Sequence, residues 1–460
     1  MAQFMVVLDA TIVNVALPSI QKDLNMTEAN LQWIINGYTL VFGGFLLLGG
    51  RAGDLLGRKR VFLVGLVIFT TASLLNGLAN SEGMLIGFRA LQGLGAALIS
   101  PAALSIISTT FAEGKERARA LGVWAAIAVG GSAVGLVLGG ALTQAFSWPW
   151  IFFVNVPVGV VTFLLAARIV PESKDEHEHK SYDIPGAVSI TGGLMSLVYA
   201  IVSAETKGWT SARTLGFFAV AIVLHVAFFL IESRSREPLV RLSIFRVRSL
   251  TTANIAMFLV GAGMFSMFFF NTLYIQRVLG YGPLKAGVAF LPFTAGIMIS
   301  AGIASNLATR IGVRPVTAVG MLLTIAGMLY FGRMPVDGSY AADVLPGIAM
   351  ASLGMGAVFM PLTLVATTGL HDEDQGLASG IFNTSQQIGG ALGLAILSTI
   401  AAGRSHGSGP AQLVHGFHYA FVGASLFVLG ALVATLALLR KRDLEKIEAV
   451  THAEPVIANV

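Results

Sequence analysis

The chain has 460 residues, of which 55% are hydrophobic and only 12% charged, whereas a soluble protein carries about 25% charged residues. The formal net charge of +5 does not point to nucleic acid, because the basic residues fall in breaks between apolar runs and not along one stripe. Without cysteine the chain has no disulfide and no Cys-based metal site.

The apolar runs predict fourteen spanning helices, near 2–21, 31–50, 61–79, 83–108, 119–144, 150–169, 185–204, 213–231, 250–275, 284–308, 315–333, 342–369, 377–402 and 417–439. Each is close to the ~20 residues needed to cross about 30 Å of hydrocarbon. The first has no basic leader and carries Asp9 in its middle, so it reads as a membrane helix and not as a cleaved signal peptide. It begins almost inside the bilayer, as expected of a chain read from a late start codon. With the N-terminus inside, Lys and Arg favour the inner loops and tail by about three to one, which places both ends in the cytoplasm. Gaining or losing one early helix would spoil that bias.

An ionised side chain at a helix centre costs about 2.5–3.5 kcal/mol on insertion scales, so Asp9 is expected to face protein or water. It either takes part in a pathway or hydrogen-bonds a neighbouring helix. Asn14, Gln32 and Asn36 in the first two helices are cavity lining or interhelical glue. The most densely charged short turn follows, Gly50 to Leu63, GRAGDLLGRKRVFL. Its Arg51, Arg58, Lys59 and Arg60 fix it on the cytoplasmic side. In the fourth helix Arg89 is the basic residue inside a span, with Gln92 and Gly93 on the same face. Arg89 either serves proton transfer with Asp9 or ties helices together through backbone carbonyls. The fifth helix carries Gly131, Gly135, Gly139 and Gly140, a spacing that ordinary close packing also explains.

Later in the chain, His177, Glu178 and His179 lie in a charged loop and read as solvated, not as a metal site. Met257, Met264, Met267, Phe265 and Phe269 in the ninth helix read as packing or lipid contacts before a substrate wall. Gly354, Gly356 and Pro361 echo Gly93, Gly95 and Pro101; Gly389/Gly393 echo Gly135/Gly139; and Arg310 to Arg314 echoes Leu55 to Lys59 without the Asp. Such echoes suggest a duplicated chain with a central site. Asp372, Glu373 and Asp374 precede the thirteenth helix. They either stabilise its positive N-terminus or, with Asp54, meet Arg58, Lys59 and Arg60 across the halves as a cytoplasmic latch. Asn383, Gln386 and Gln387 share a face of that helix and, like Gln92, are cavity lining or interhelical glue. No Gly-Lys-Ser/Thr phosphate loop appears, so ATP is not expected as a fuel.

The frame Gly50, Asp54, Gly57, Arg58, Lys59 resembles the loop between the second and third helices of the major facilitator superfamily. Leu8 to Pro18, LIGFRALQGLG around Arg89, Gly131 to Gly140 and Trp148 to Gly159 resemble stretches of its fourteen-helix drug:proton antiporters. Leu136 stands where the antiporter motif has Pro, and Pro149 where a basic residue is usual. The resemblance implies an all-α integral membrane protein of fourteen transmembrane helices. Two pseudo-symmetric six-helix bundles, 1–169 and 250–439, would flank an inserted pair in 170–249, with a tail at 440–460. It implies proton-coupled export of lipophilic drugs or antibiotics from the cell membrane, no enzyme activity and no bound cofactor, with Asp9 and Arg89 on a shared aqueous vestibule. One intramembrane carboxylate favours neutral or monovalent substrates, since a second charge would lack a counterion. The rivals are an exporter of an endogenous metabolite or lipid and a non-transporting sensor or scaffold. The second would need a sizeable soluble domain.

Overall fold

The computed structural model describes residues 1–111, 115–173, 183–235, 238–367, 372–405 and 409–439, and these are nearly all helical. The first half comprises α1 (Ala2–Asp23), α2 (Trp33–Leu56), α3 (Arg58–Gly77), α4 (Glu82–Thr110), α5 (Lys115–Ala145) and α6 (Trp150–Ile169). A pair follows, α7 (Ile184–Lys207) and α8 (Ala212–Arg234). The second half comprises α9 (Arg248–Leu273), α10 (Pro283–Ala308), α11 (Val313–Phe331), α12 (Leu345–Thr367), α13 (Asp372–Arg404) and α14 (Pro410–Leu438). Among the described residues thirteen helices are long and apolar enough to cross a membrane. The helix α5, 31 residues long, includes side chains outside the described set and is not among the thirteen.

The charged turn predicted from Gly50 to Leu63 is mostly helix. α2 runs on to Leu56 and α3 starts at Arg58, so the reversal rests on Gly57 alone, at φ +106°. Only glycine takes that conformation without strain. Gly312 does the same between α10 and α11, at φ +87°, which makes the repeat visible in the backbone where the side chains have diverged. Likewise 372–375, taken from the sequence as loop, open α13.

Small residues set how closely the helices approach. A methyl group on Gly93 would lie 2.4 Å from the Tyr38 carbonyl oxygen of α2, and one on Gly95 2.6 Å from the Phe69 nitrogen of α3, so α4 is wedged between those helices. In the second half Gly354 presses on α11 at Gly320 and Thr324, and Gly356 on α10 at Ile297. The order of the two neighbours is thus reversed, and the sequence echo is one of crowding, not of residue-for-residue equivalence. Lipid-depth helices associate through such contacts because there is no hydrophobic gain between apolar surfaces in hydrocarbon.

The two halves meet tightly at one end. A methyl group on Gly140 of α5 would lie 2.5 Å from the Pro283 carbonyl oxygen, and one on Gly287 of α10 2.1 Å from the Leu136 carbonyl oxygen. Gln276 donates to Val15 O at 2.7 Å, and the Leu284 N–H to Gln144 Oε1 at 3.3 Å. This is the end away from the basic loops. The pair α7 and α8 sits at the side, with Thr191 of α7 against Gly44 of α2 and Thr399 of α13 donating to Ile201 O at 3.5 Å. The outward side of α8 is apolar and bare, with Ile222 and Val223 each 64% exposed, as a lipid-facing surface requires.

Candidate functional site

Between the halves lies a cavity of about 710 Å³ that reaches the basic end, where Gly50, Arg51, Asp54 and Arg241 form part of its wall. Because the opposite end is packed shut, the cavity faces the side that the Lys and Arg bias assigns to the cytoplasm. Its volume falls within the ~300–1,000 Å³ of small-molecule sites. Phe42, Trp124 and Phe265 give it greasy surface; Asn14, Asn383 and Gln387 give it isolated polar groups.

At the wall stands Arg89, which is 2% exposed, and behind it Asp9, which is fully buried. Arg89 Nη1 donates to Asp9 Oδ2 at 2.5 Å and to Gln92 Oε1 at 2.7 Å, and its Nε donates to the Ile34 carbonyl at 3.1 Å. Its guanidinium lies over the Tyr38 ring, 4.4 Å from the centroid, and more distantly over the Phe152 ring, 5.8 Å from its centroid. The other oxygen of the carboxylate, Oδ1, accepts from Gln92 Nε2 at 2.7 Å and from Asn155 Nδ2 at 3.1 Å. Asn155 also donates to Ser73 Oγ at 3.1 Å, Ser73 donates to Phe152 O at 2.9 Å, and Asn76 donates to Gln92 Oε1 at 2.7 Å. Each element contributes one polar face: α1 gives Asp9, α2 Tyr38, α3 Ser73 and Asn76, α4 Arg89 and Gln92, and α6 Asn155.

The structure therefore brings Asp9, Arg89 and Gln92 together, but it does not place Asp9 in the aqueous vestibule. Arg89 reaches the cavity and shields the carboxylate from it. A charge that is nowhere wet must be met by donors and a counterion, and this one is met by both. Arg89 pairs with Asp9 and also ties α2 to α4 through the Ile34 carbonyl.

The remaining candidates separate. Asn14 and Asn383 line the cavity while donating to backbone one turn back, at Ala10 O and Ser379 O. Gln387 lines it too, but Gln386 does not, and its backbone carbonyl is pressed against Gly261 of α9. Gln32 and Asn36 are buried away from the cavity, with Asn36 donating to Gln32 Oε1 at 3.4 Å. Gly131, Gly135 and Gly139 pack α5 on α1 at Phe4, Leu8, Thr11 and Ile12, while Gly140 faces α10. Of the five ninth-helix residues only Phe265 lines the cavity. Met257, Met267 and Phe269 are core.

At the basic end, Arg58 pairs with Asp54 at 3.1 Å, one turn away. Lys59 Nζ donates to Ala167 O at 2.8 Å, Glu172 accepts from the Lys59 N–H at 3.1 Å, and Arg60 approaches Glu172 at 3.6 Å. In this conformation the three basic residues are held within their own half. Asp372, Glu373 and Asp374 lie at the start of α13, and their side chains are outside the described residues, as are His177, Glu178 and His179. Among the described residues no cluster has the composition of a metal site.

Sequence reasoning missed Asn155, Ser73, Asn76 and Tyr38. The signal was present: a polar side chain deep in an apolar run needs a partner, a test applied to Asn14 and Asn36 but not to Asn76 or Asn155.

A family whose description is Major Facilitator Superfamily matches residues 1–394. The chain is 40% identical to the puromycin resistance protein of Streptomyces alboniger, over 95% of this chain and 88% of that protein. It is 39% identical to the cephamycin export protein of Amycolatopsis lactamdurans, over 94% and 90%. Among solved structures, a peptide transporter in complex with sulfate superposes with a TM-score of 0.68 at 16% identity, covering 96% of this chain and 94% of that one. A bacterial homologue of the human lysosomal transporter Spinster, in an inward-facing conformation, gives 0.64 at 17%, covering 97% and 96%.

Proposed function

Because this chain belongs to the major facilitator superfamily, and its relatives are drug and antibiotic resistance and export proteins, we propose that it exports small lipophilic drugs or antibiotics across the cell membrane by alternating access, driven by an inward proton gradient. The observation that carries this reading is the buried Asp9–Arg89 pair at the wall of a cavity open on the basic side. The substrate enters the cavity from the cytoplasm and rests on the aromatic walls, with Asn14, Asn383 and Gln387 as polar contacts. The proton is carried by Asp9.

Since Asp9 does not touch the cavity, substrate and proton do not compete for one carboxylate. They are coupled through Arg89, whose charge is matched by Asp9 when the acid is ionised and left unmatched when it is protonated. An unmatched guanidinium at the wall raises the energy of a bound cation. Protonation therefore expels a cationic substrate, and substrate binding favours loss of the proton. One buried carboxylate balanced by one arginine leaves no spare counterion for a doubly charged substrate, so the preferred cargo is neutral or monovalent. No bound cofactor or ATP is required, and both termini lie in the cytoplasm. Export of a self-made antibiotic follows the same mechanism, and the name of the cephamycin export relative favours it as a second reading.

The test is efflux from proteoliposomes with and without an imposed pH gradient. Gradient-dependent accumulation of a monovalent dye, lost in Asp9→Asn, supports the reading. Accumulation that ignores the gradient, or that favours a divalent cation over the monovalent one, rejects it.

A further inference from the structure

The carboxylate of Asp9 is surrounded by donors only: Arg89 Nη1 on Oδ2, and Gln92 Nε2 and Asn155 Nδ2 on Oδ1. That shell suits the ionised acid, which is acceptor-only. A protonated carboxyl carries an O–H and needs an acceptor, so a group that is to hold a proton here requires one partner able to reverse its polarity.

The three partners differ in what reversal would break. The guanidinium of Arg89 has no acceptor in any orientation. Gln92 has a carbonyl oxygen, but that oxygen already accepts from Arg89 at 2.7 Å and from Asn76 at 2.7 Å. Turning its amide would break three short bonds and leave two donors facing an NH₂ group. Asn155 is bonded only by its Nδ2, at 3.1 Å to Asp9 and 3.1 Å to Ser73, and its Oδ1 is buried with no partner among the described residues. A buried carbonyl without a donor is costly, and one beside a titratable group invites a role. Turning this amide breaks two longer bonds and directs the idle oxygen at the carboxyl. Ser73, a rotatable hydroxyl now donating to Phe152 O, can swing to the same oxygen.

We propose that Asn155 is the positioning residue of the proton site: when a proton joins Asp9 Oδ1, the Asn155 amide turns over and its Oδ1 accepts the new O–H bond, and when the proton leaves, the amide turns back. The turn breaks the Nδ2 bonds to Asp9 and Ser73, Ser73 can move its own bond from Phe152 O to the turned oxygen, and Oδ2 keeps its bond to Arg89. The ionisable groups facing Asp9 among the described residues are Arg89 of α4 and the Tyr38 phenol of α2; α3 and α6 present a hydroxyl and amides. This inference rests on Asp9 being the proton carrier.

Isotope-edited infrared difference spectroscopy on the full-length protein, with asparagine labelled at its side-chain carbonyl, separates the two claims. An acid step in the parent should produce a protonated-carboxyl band and, with it, a shifted asparagine amide band. The amide shift should vanish in Asn155→Leu and in Asp9→Asn and persist in Asn36→Leu, where a buried asparagine with an idle oxygen lies elsewhere. Asn155→Ala replaces the leucine variant if that one does not fold. A carboxyl band without an amide shift, a shift that survives Asn155→Leu, or one that vanishes in Asn36→Leu overturns the switch but leaves the proton site intact. A parent with no carboxyl band overturns the proton site itself, and the switch with it.

Discussion

The contact that closes the outer end can be pried open by a single methyl group. In Gly287→Ala the added carbon would sit 2.1 Å from the Leu136 carbonyl oxygen, and ordinary contact begins near 3.4 Å, so the two backbones must separate by about 1.3 Å. Both partners are main chain in regular helix and cannot turn aside as a side chain could. Overpacking of this kind costs about 1–3 kcal/mol. If alternating access parts α5 from α10 as the outer ends open, the cost falls on this conformation and not on one open outward. The balance between the two should move outward by about 5- to 150-fold. The chain has no cysteine, so spin labels on Phe146→Cys and Val336→Cys, exposed at the outer ends of the two halves, report without background. Electron–electron resonance should show a longer-distance population growing in Gly287→Ala. It should not grow in Gly130→Ala, where nothing lies within 4 Å of the new carbon. An unchanged distribution in Gly287→Ala, or an equal change in Gly130→Ala, refutes the reasoning.

Arg89→Leu strands a fully buried carboxylate with two amide donors, and breaking a buried pair from one side costs about 3–5 kcal/mol; thermal unfolding in detergent should fall sharply, and less so in Asp9→Asn, which keeps most of the polar contacts. Gly57→Ala forces a side chain into φ +106° and against the Glu172 carboxylate, 2.5 Å away, which should cost about 1–3 kcal/mol and weaken the docking of the α2–α3 turn on the end of α6; faster proteolysis at that turn is the readout. Asn383→Ala and Gln387→Ala should raise the transport KM several-fold with little change in thermal stability, whereas Gln386→Ala should leave KM alone, measured by initial rates in vesicles.

Much of the architecture was legible because its cause is local. Length and apolarity mark a span wherever it sits, and Asp9 and Arg89 stand out because a charge is costly in such a run. Their partnership was legible only through the family resemblance, since 80 residues separate them. The geometry of the site was not legible, because it depends on how helices are rotated against one another. Asn383, Gln386 and Gln387 lie within about 100° of arc on one helix, yet Gln386, whose backbone packs on Gly261, does not line the cavity while the other two do. The same holds for Asn155 and Ser73, which acquire meaning from meeting across α3 and α6. The loop boundaries were misjudged where charge was taken for irregular backbone. From Arg51 to Arg60 the chain is charged yet helical on both sides of Gly57, because beyond the hydrocarbon a helix needs no apolar face to persist.

The proposed coupling requires a proton to leave the buried acid when substrate arrives. Substrate added to purified protein in weakly buffered detergent should release protons in proportion to binding, and Asp9→Asn should bind substrate without releasing them. Equal release from both proteins, or binding by the parent with none, would contradict it.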